Sequence, residues 1–183
     1  MAHQSQHLRI SLIFLVFVLA TLFTLTSALY QNPNKNPDSI SGKKALEFSA
    51  IGLSGPQIKV GEKIALQQFS GKALVLNFFS SWCATCASEA SALEDFWQSQ
   101  KTKGVQVVGI AVQDTLDAAI DATKEHHKSY VVALDEEGEA GVNYGITGVP
   151  ETVFINKEGI VVTKVVGAVT KEILEQKLAL MMQ

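Results

Sequence analysis

The chain is short of cysteine, of arginine and of clustered histidine, and each shortage removes a class of explanation. Its only cysteines among 183 residues are Cys83 and Cys86. No disulfide framework can hold the fold, so stability has to come from an ordinary hydrophobic core, which a chain of this length can supply. The four histidines are His3, His7, His126 and His127. A zinc site needs four ligands, and neither pair stands at a spacing that completes a Cys-x-x-Cys half-site. Arg9 is the sole arginine, and 15 basic residues face 18 acidic ones for a formal charge of −3. Lys43-Lys44 is the longest basic run, which makes a solvated face rather than a phosphate patch, so no nucleic acid is expected as partner. There is no internal repeat.

Charge is missing altogether from Ile10 to Leu29, where only Ser11, Thr21, Thr24, Thr26 and Ser27 interrupt the apolar residues. Twenty such residues span about 30 Å as a helix. Arg9 and the free amine precede them, which keeps that end cytoplasmic and puts everything after Tyr30 outside the inner membrane. Thr26-Ser27-Ala28 also offers the small residues that signal peptidase accepts, so a cleaved signal peptide is the alternative. The stretch exceeds the about 7–15 apolar residues usual in cleaved signals, which favours an uncleaved anchor. The expected organisation is a cytoplasmic n-region at 1–9, a transmembrane signal anchor at 10–29, a linker at 30–44 and a folded domain at 45–183. Pro33 and Pro37 in a polar stretch suit the linker.

Within the domain, Ala45–Ile51 and Gln57–Val60, with Gly52 and Gly55-Pro56 between, predict a short β-hairpin. Ile64–Phe69 predicts a helical turn that Gly71 ends, and Ala73–Phe79 a strand buried on both faces. A helix from Ala84 to about Gln98 presents Ala87, Ala90, Leu93, Phe96 and Trp97 at helical spacing. Val105–Val112 reads as a second buried strand. Thr115–Lys128 follows as a helix with Leu116, Ala119, Ile120 and Thr123 inward, then Tyr130–Leu134 as a strand. A short helix at Glu139–Tyr144, strands at Thr152–Ile155 and Ile160–Val166 around a turn, and a helix at Thr170–Met182 complete the pattern. Strands alternating with helices before a closing hairpin indicate an α/β sandwich.

The two cysteines fall where the strand pattern ends and the helix pattern begins. A cysteine at a helix start feels unpaired backbone N–H groups that stabilise thiolate and make it nucleophilic. Two intervening residues let the second sulfur reach the first. So short a loop removes little unfolded-state entropy, which marks exchange chemistry over a structural bridge.

Trp82-Cys83-Ala84-Thr85-Cys86 with Gly148-Val149-Pro150-Glu151-Thr152 resembles the thioredoxin superfamily. Within it the chain is most similar to the membrane-tethered DsbE/CcmG reductases of cytochrome c maturation and the related ResA and TlpA proteins, over about Lys44 to Gln183. The resemblance implies a three-layer α/β/α sandwich with a mixed central sheet, an N-terminal β-hairpin extension and one preceding transmembrane helix. It departs from those reductases at Ala84, where they usually carry proline. Asn77 departs from cytosolic thioredoxins, which carry aspartate there, and agrees with the reductases.

What the resemblance implies for the site is a periplasm-facing thiol:disulfide oxidoreductase, anchored in the inner membrane and monomeric, that needs no cofactor beyond its redox-active disulfide. Cys83, at the exposed helix tip, attacks a partner disulfide, and the shielded Cys86 then releases the reduced partner. Glu89, on the face of Cys86, shuttles a proton; by sequence alone it is equally a solvated helix carboxylate. Glu151, directly after Pro150, would stand beside the sulfurs as a second acid, or be an ordinary strand-start residue. Pro150 corresponds to the superfamily's cis-proline, Val149 offers backbone to an extended substrate, and Trp82 shapes the contact surface. The implied partners are apocytochrome c or another exported dithiol/disulfide protein, and a membrane electron donor of the DsbD or CcdA type. A general periplasmic reductase or isomerase, a TlpA-like redox protein and a non-catalytic apocytochrome-binding module remain the alternatives. A peroxiredoxin is excluded, because no proline precedes Cys83 at the distance its loop needs.

Overall fold

The computed structural model describes residues 14–24, 26 and 40–182. They belong to two units, Met1–Pro37 and Asp38–Gln183. In the first, residues 14–24 and 26 are helical, and Thr21 and Thr26 donate their hydroxyls to the carbonyls of Val18 and Leu22. Among the described residues no helix is long and apolar enough to cross a membrane. The ends of the expected 10–29 span and residues 30–39 lie outside the described residues.

The second unit runs β1 (Ser49–Ser54), β2 (Lys63–Ala65), a 3-10 turn (Leu66–Phe69), β3 (Ala73–Phe79), α1 (Ala84–Gln100), β4 (Val105–Ala111), α2 (Leu116–Glu125), β5 (Val131–Leu134), α3 (Glu139–Asn143), β6 (Glu151–Ile155), β7 (Val161–Val166) and α4 (Lys171–Met181). One sheet holds all seven strands in the order β2-β1-β5-β4-β3-β6-β7. β3, β4 and β5 are mutually parallel and the other pairings antiparallel, so the sheet is mixed. β3 and β4 are buried at every position, as strands covered on both faces must be.

Side chains alternate across the sheet. Val75, Phe79, Val107, Tyr130, Val132 and Phe154 face a layer built from α1, α2 and α4, which contributes Leu93, Phe96, Trp97, Ala119 and Leu174. Leu74, Leu76, Phe78, Ile110 and Val153 face the other way, onto Ala140, Tyr144, Phe48, Ile64 and Phe69. The result is the thioredoxin-like α/β fold that the resemblance implied. Asn77 belongs to the α1 side of β3, three residues before the turn that leads to the cysteines.

Three local expectations differ. The partner of β1 is Lys63–Ala65, not Gln57–Val60. Ile64 is the residue that reaches the core, whereas Val60 is solvent-exposed, and the Gly52 N–H bonds the Glu62 carbonyl. A Cβ at Gly52 would stand 2.8 Å from Ile58, so the intervening loop folds back where only glycine leaves room. Leu116, expected inward, is exposed at the first turn of α2, and Ala122 joins Ala119 and Thr123 on the buried face. Residues 42–44, the end of the expected linker, are bonded to the start of β7 through an isolated bridge of Lys44 with Ile160: Gly42 N–H donates to the Val161 carbonyl and Val161 N–H to the Lys43 carbonyl.

Candidate active site

β3 ends at Phe79, and Ser80–Trp82 turn the chain into α1. Ser80 Oγ donates to the Val112 carbonyl at 2.6 Å. Asp114 accepts both the backbone N–H and the hydroxyl of Ser81, and the Trp82 indole N–H donates to the Gln113 carbonyl at 3.1 Å. The turn is therefore tied to the loop after β4. Trp82 keeps 62% of its surface exposed as a rim beside the cysteines.

Cys83 is the N-cap of α1, and its Sγ accepts the Cys86 N–H at 3.1 Å. One of the unpaired donors of the helix start is thus aimed at this sulfur, which favours its thiolate. The two cysteines form a disulfide with Cα atoms 5.3 Å apart. Exposure does not separate them as expected: Cys83 is 8% exposed and Cys86 4%. The loop around the cis Val149–Pro150 bond covers Cys83, bringing the Val149 carbonyl to 3.7 Å from its Sγ. The asymmetry between the sulfurs lies in hydrogen bonding, not in solvent access.

Glu89, three residues beyond Cys86 in α1, is 2% exposed. Its Oε1 accepts Asn77 Nδ2–H and its Oε2 the Val169 N–H, both at 2.8 Å. Asn77 Nδ2 also donates to Thr152 Oγ1 at 3.0 Å. Burial raises the Glu89 pKa above its ordinary value, against these two hydrogen bonds and the charge of Lys128. The side chain is thus no solvated surface carboxylate but a buried acid on the helix face of Cys86, able to hold a proton closer to neutrality than an exposed one.

Glu151 stands elsewhere. It is one residue from Thr152 in β6, so it projects to the opposite sheet face, and its partners are Thr147, Gly148 and Lys164. The expectation of a second acid beside the sulfurs is corrected: of the two glutamates, only Glu89 lies on the dithiol's side of the sheet.

Nothing in the sequence marks Lys128 as a buried residue. α2 ends at Glu125, and His127 takes a left-handed φ of 50°, which turns the chain back and buries Lys128 with its Nζ 3.2 Å over the Phe79 ring. Gly109 permits this packing, since a Cβ there would stand 3.2 Å from the Tyr130 ring and 3.3 Å from Phe79. Burial pushes the Lys128 ammonium down to about 8, opposed by Glu89 and Asp114. A base with a lowered folded pKa binds protons less well folded than unfolded. Stability is therefore withheld below about pH 8 and regained as pH rises towards 10.5, a cost of about 3 kcal/mol at pH 7. Lys128→Met is expected to stabilise the oxidised protein at pH 7 by about 1–3 kcal/mol, net of the lost ring contact, with the gain vanishing by about pH 10.5. Urea denaturation across that range measures it, and a variant less stable at pH 7 contradicts it.

The family described as Redoxin matches residues 40–178. The chain is 31% identical over 167 residues to the thiol-disulfide oxidoreductase ResA of Bacillus thuringiensis subsp. konkukian, covering 91% of each chain. It is 31% identical over 165 residues to the thiol:disulfide interchange protein DsbE of Pseudomonas fluorescens biotype C, covering 90% of this chain and 87% of that one. The crystal structure of a thiol:disulfide interchange protein, a thioredoxin family protein from Chlorobium tepidum TLS, superposes with a TM-score of 0.65 at 25% identity, over 74% of this chain and 93% of that one.

Proposed function

The chain belongs to the Redoxin family and is a thiol-disulfide oxidoreductase of the DsbE and ResA type, and we propose that it works as a dithiol reductase with Cys83 as the attacking sulfur. The observation that carries this assignment is the Cys86 N–H directed at Cys83 Sγ from the first turn of α1. In the reduced protein the Cys83 thiolate attacks one sulfur of a partner disulfide, forming a mixed disulfide and expelling the other partner sulfur as thiolate. Cys86 then gives its proton to the Glu89 carboxylate and attacks Cys83 Sγ. The second partner sulfur leaves with the electron pair, and the Cys83–Cys86 disulfide remains. Two electrons pass to the partner, and an external dithiol donor returns them.

The direction follows from what surrounds the pair. A buried acid beneath Cys86 disfavours its thiolate, and a less stabilised thiolate leaves the disulfide relatively favoured, which is the property of a reductant. Trp82, Val149 and Pro150 form the contact edge, where an extended partner segment can pair with backbone as an added strand does.

The further assignment is to cytochrome c maturation. Residues 10–29 anchor the protein in the inner membrane, residues 30 onward face the periplasm, and the dithiol reduces the Cys-x-x-Cys-His disulfide of apocytochrome c before haem attachment. A membrane carrier of the DsbD or CcdA type re-reduces it. Supporting this are the apolar run after Arg9 and the neutral Asn77, hydrogen-bonded to Glu89, at a position where cytosolic thioredoxins carry aspartate and the reductases of the resemblance do not. A deletion strain is expected to lose c-type cytochromes and to recover them with the wild-type gene but not with Cys83→Ser/Cys86→Ser. Normal cytochrome content removes the substrate assignment, and rescue by the double variant favours a binding module instead.

A further inference from the structure

The loop that presents Val149 is held from below by a charge pair with no part in the exchange chemistry. Glu151 is fully buried. Its Oε1 accepts the Thr147 N–H at 3.0 Å, the Thr147 hydroxyl at 2.8 Å and the Gly148 N–H at 3.2 Å. Its Oε2 faces Lys164 Nζ at 2.9 Å, in a side chain only 14% exposed, and the same Nζ donates to the Gly145 carbonyl at 2.8 Å. Three residues of the segment 145–148 are thereby bonded to two side chains rooted in β6 and β7. The next residue is Val149, whose carbonyl approaches Cys83, and the Pro150 carbonyl accepts the Gly167 N–H at 2.9 Å.

We propose that Glu151 and Lys164 form a clamp that fixes the Val149 edge for an incoming extended polypeptide, so that Lys164 is a positioning residue for protein disulfides and not for the redox chemistry itself. Thr147 and Gly148 are exposed while the Glu151 carboxylate that binds them is buried. A loop carrying Gly145 and Gly148 would otherwise lose conformational entropy each time a partner docked, and an edge ordered beforehand avoids that loss. Burying an ion pair stabilises a fold little compared with apolar residues of similar size, so the pair is better suited to holding a conformation than to strengthening the core. Because the pair lies on the sheet face away from Asn77 and Glu89, it leaves the dithiol unperturbed. A small disulfide makes no backbone pairing along Val149 and is indifferent to the clamp. The ligand class is thus an extended peptide flanking its own disulfide.

This inference rests on the reading of Cys83 as the attacking sulfur, and the experiment separates the two. Single-turnover oxidation of the reduced protein is followed with a synthetic peptide bearing a Cys-x-x-Cys disulfide and, in parallel, with hydroxyethyl disulfide. Lys164→Met is expected to raise the half-saturating peptide concentration about tenfold, with the limiting rate and the hydroxyethyl disulfide rate unchanged, and Lys164→Arg to restore the wild-type value. An unchanged half-saturation, or an equal slowing with both disulfides, overturns the clamp. Should Lys164→Met fail to fold because Glu151 is left unpaired, Glu151→Gln/Lys164→Met removes both charges and is held to the same criterion. In the wild type, the amide hydrogens of Thr147 and Gly148 are expected to exchange slowly despite their exposure, and fast exchange overturns the clamp independently. A wild-type protein that reacts with neither disulfide removes the Cys83 reading and leaves amide exchange to decide the clamp.

Discussion

Replacing Cys83 with serine is expected to reduce disulfide exchange to the uncatalysed background, whereas Cys86→Ala is expected to complete the first half-reaction and stop. Both sulfurs are nearly inaccessible, so accessibility alone predicts similar effects. The hydrogen bonds predict different ones. Cys83 Sγ receives the Cys86 N–H at the start of α1, and that amide survives the change to alanine, so a thiolate at Cys83 keeps its donor. A serine hydroxyl at 83 is no substitute for thiolate at neutral pH. Quenching with acid and separating the products by mass distinguishes the cases: no adduct with Cys83→Ser, and one stoichiometric mixed disulfide with Cys86→Ala.

Glu89→Gln is expected to slow resolution of that mixed disulfide by about a hundredfold, the lower range for a positioned proton acceptor. In the wild type the resolving rate should climb as pH rises through the raised pKa of Glu89, because a carboxylate able to take the Cys86 proton becomes available there. In the variant that limb disappears, and the rate waits for the thiol to ionise alone. Stability carries the same signature with a definite sign. An acid whose folded pKa is raised binds its proton more tightly folded than unfolded, so stability falls as pH rises from 4.5 through the raised value. Glutamine keeps the buried shape without that titration and should flatten the curve. Stopped-flow resolution rates and denaturation of the oxidised protein between pH 4 and 8 test both. A pH-rate profile identical to wild type places the proton acceptor elsewhere.

The parts of this molecule that were legible in its sequence are those fixed by local periodicity. β3 begins and ends where the apolar run does, at Ala73 and Phe79, and its one polar interruption is tolerated between two covered faces because the Asn77 amide nitrogen is paired. α1 likewise starts at the residue after Cys83. Ile58 and Val60 misled because their alternation mimics a strand, while the backbone partner of β1 is chosen by the burial of Ile64 further on. Glu151 misled because its neighbour Pro150 adjoins the cysteines, although the two-residue period of β6 already places Glu151 and Thr152 on opposite faces. Lys128 left no trace in the sequence. In the run His126-His127-Lys128-Ser129 it reads as a solvated cation, and only the left-handed turn at His127 sends it under the sheet. Lys164 was equally hidden, since its bond to Glu151 joins residues across two strands with no spacing that announces it.

Cys83 is proposed to pass electrons to another protein through a covalent intermediate. The most direct test is to express Cys86→Ala in cells, trap thiols with acid, purify the protein without reductant and identify what is attached. Discrete adducts through Cys83 are expected, released by dithiothreitol and enriched in exported proteins with a Cys-x-x-Cys pair. A variant recovered wholly as free thiol, with no protein bound at Cys83, contradicts it.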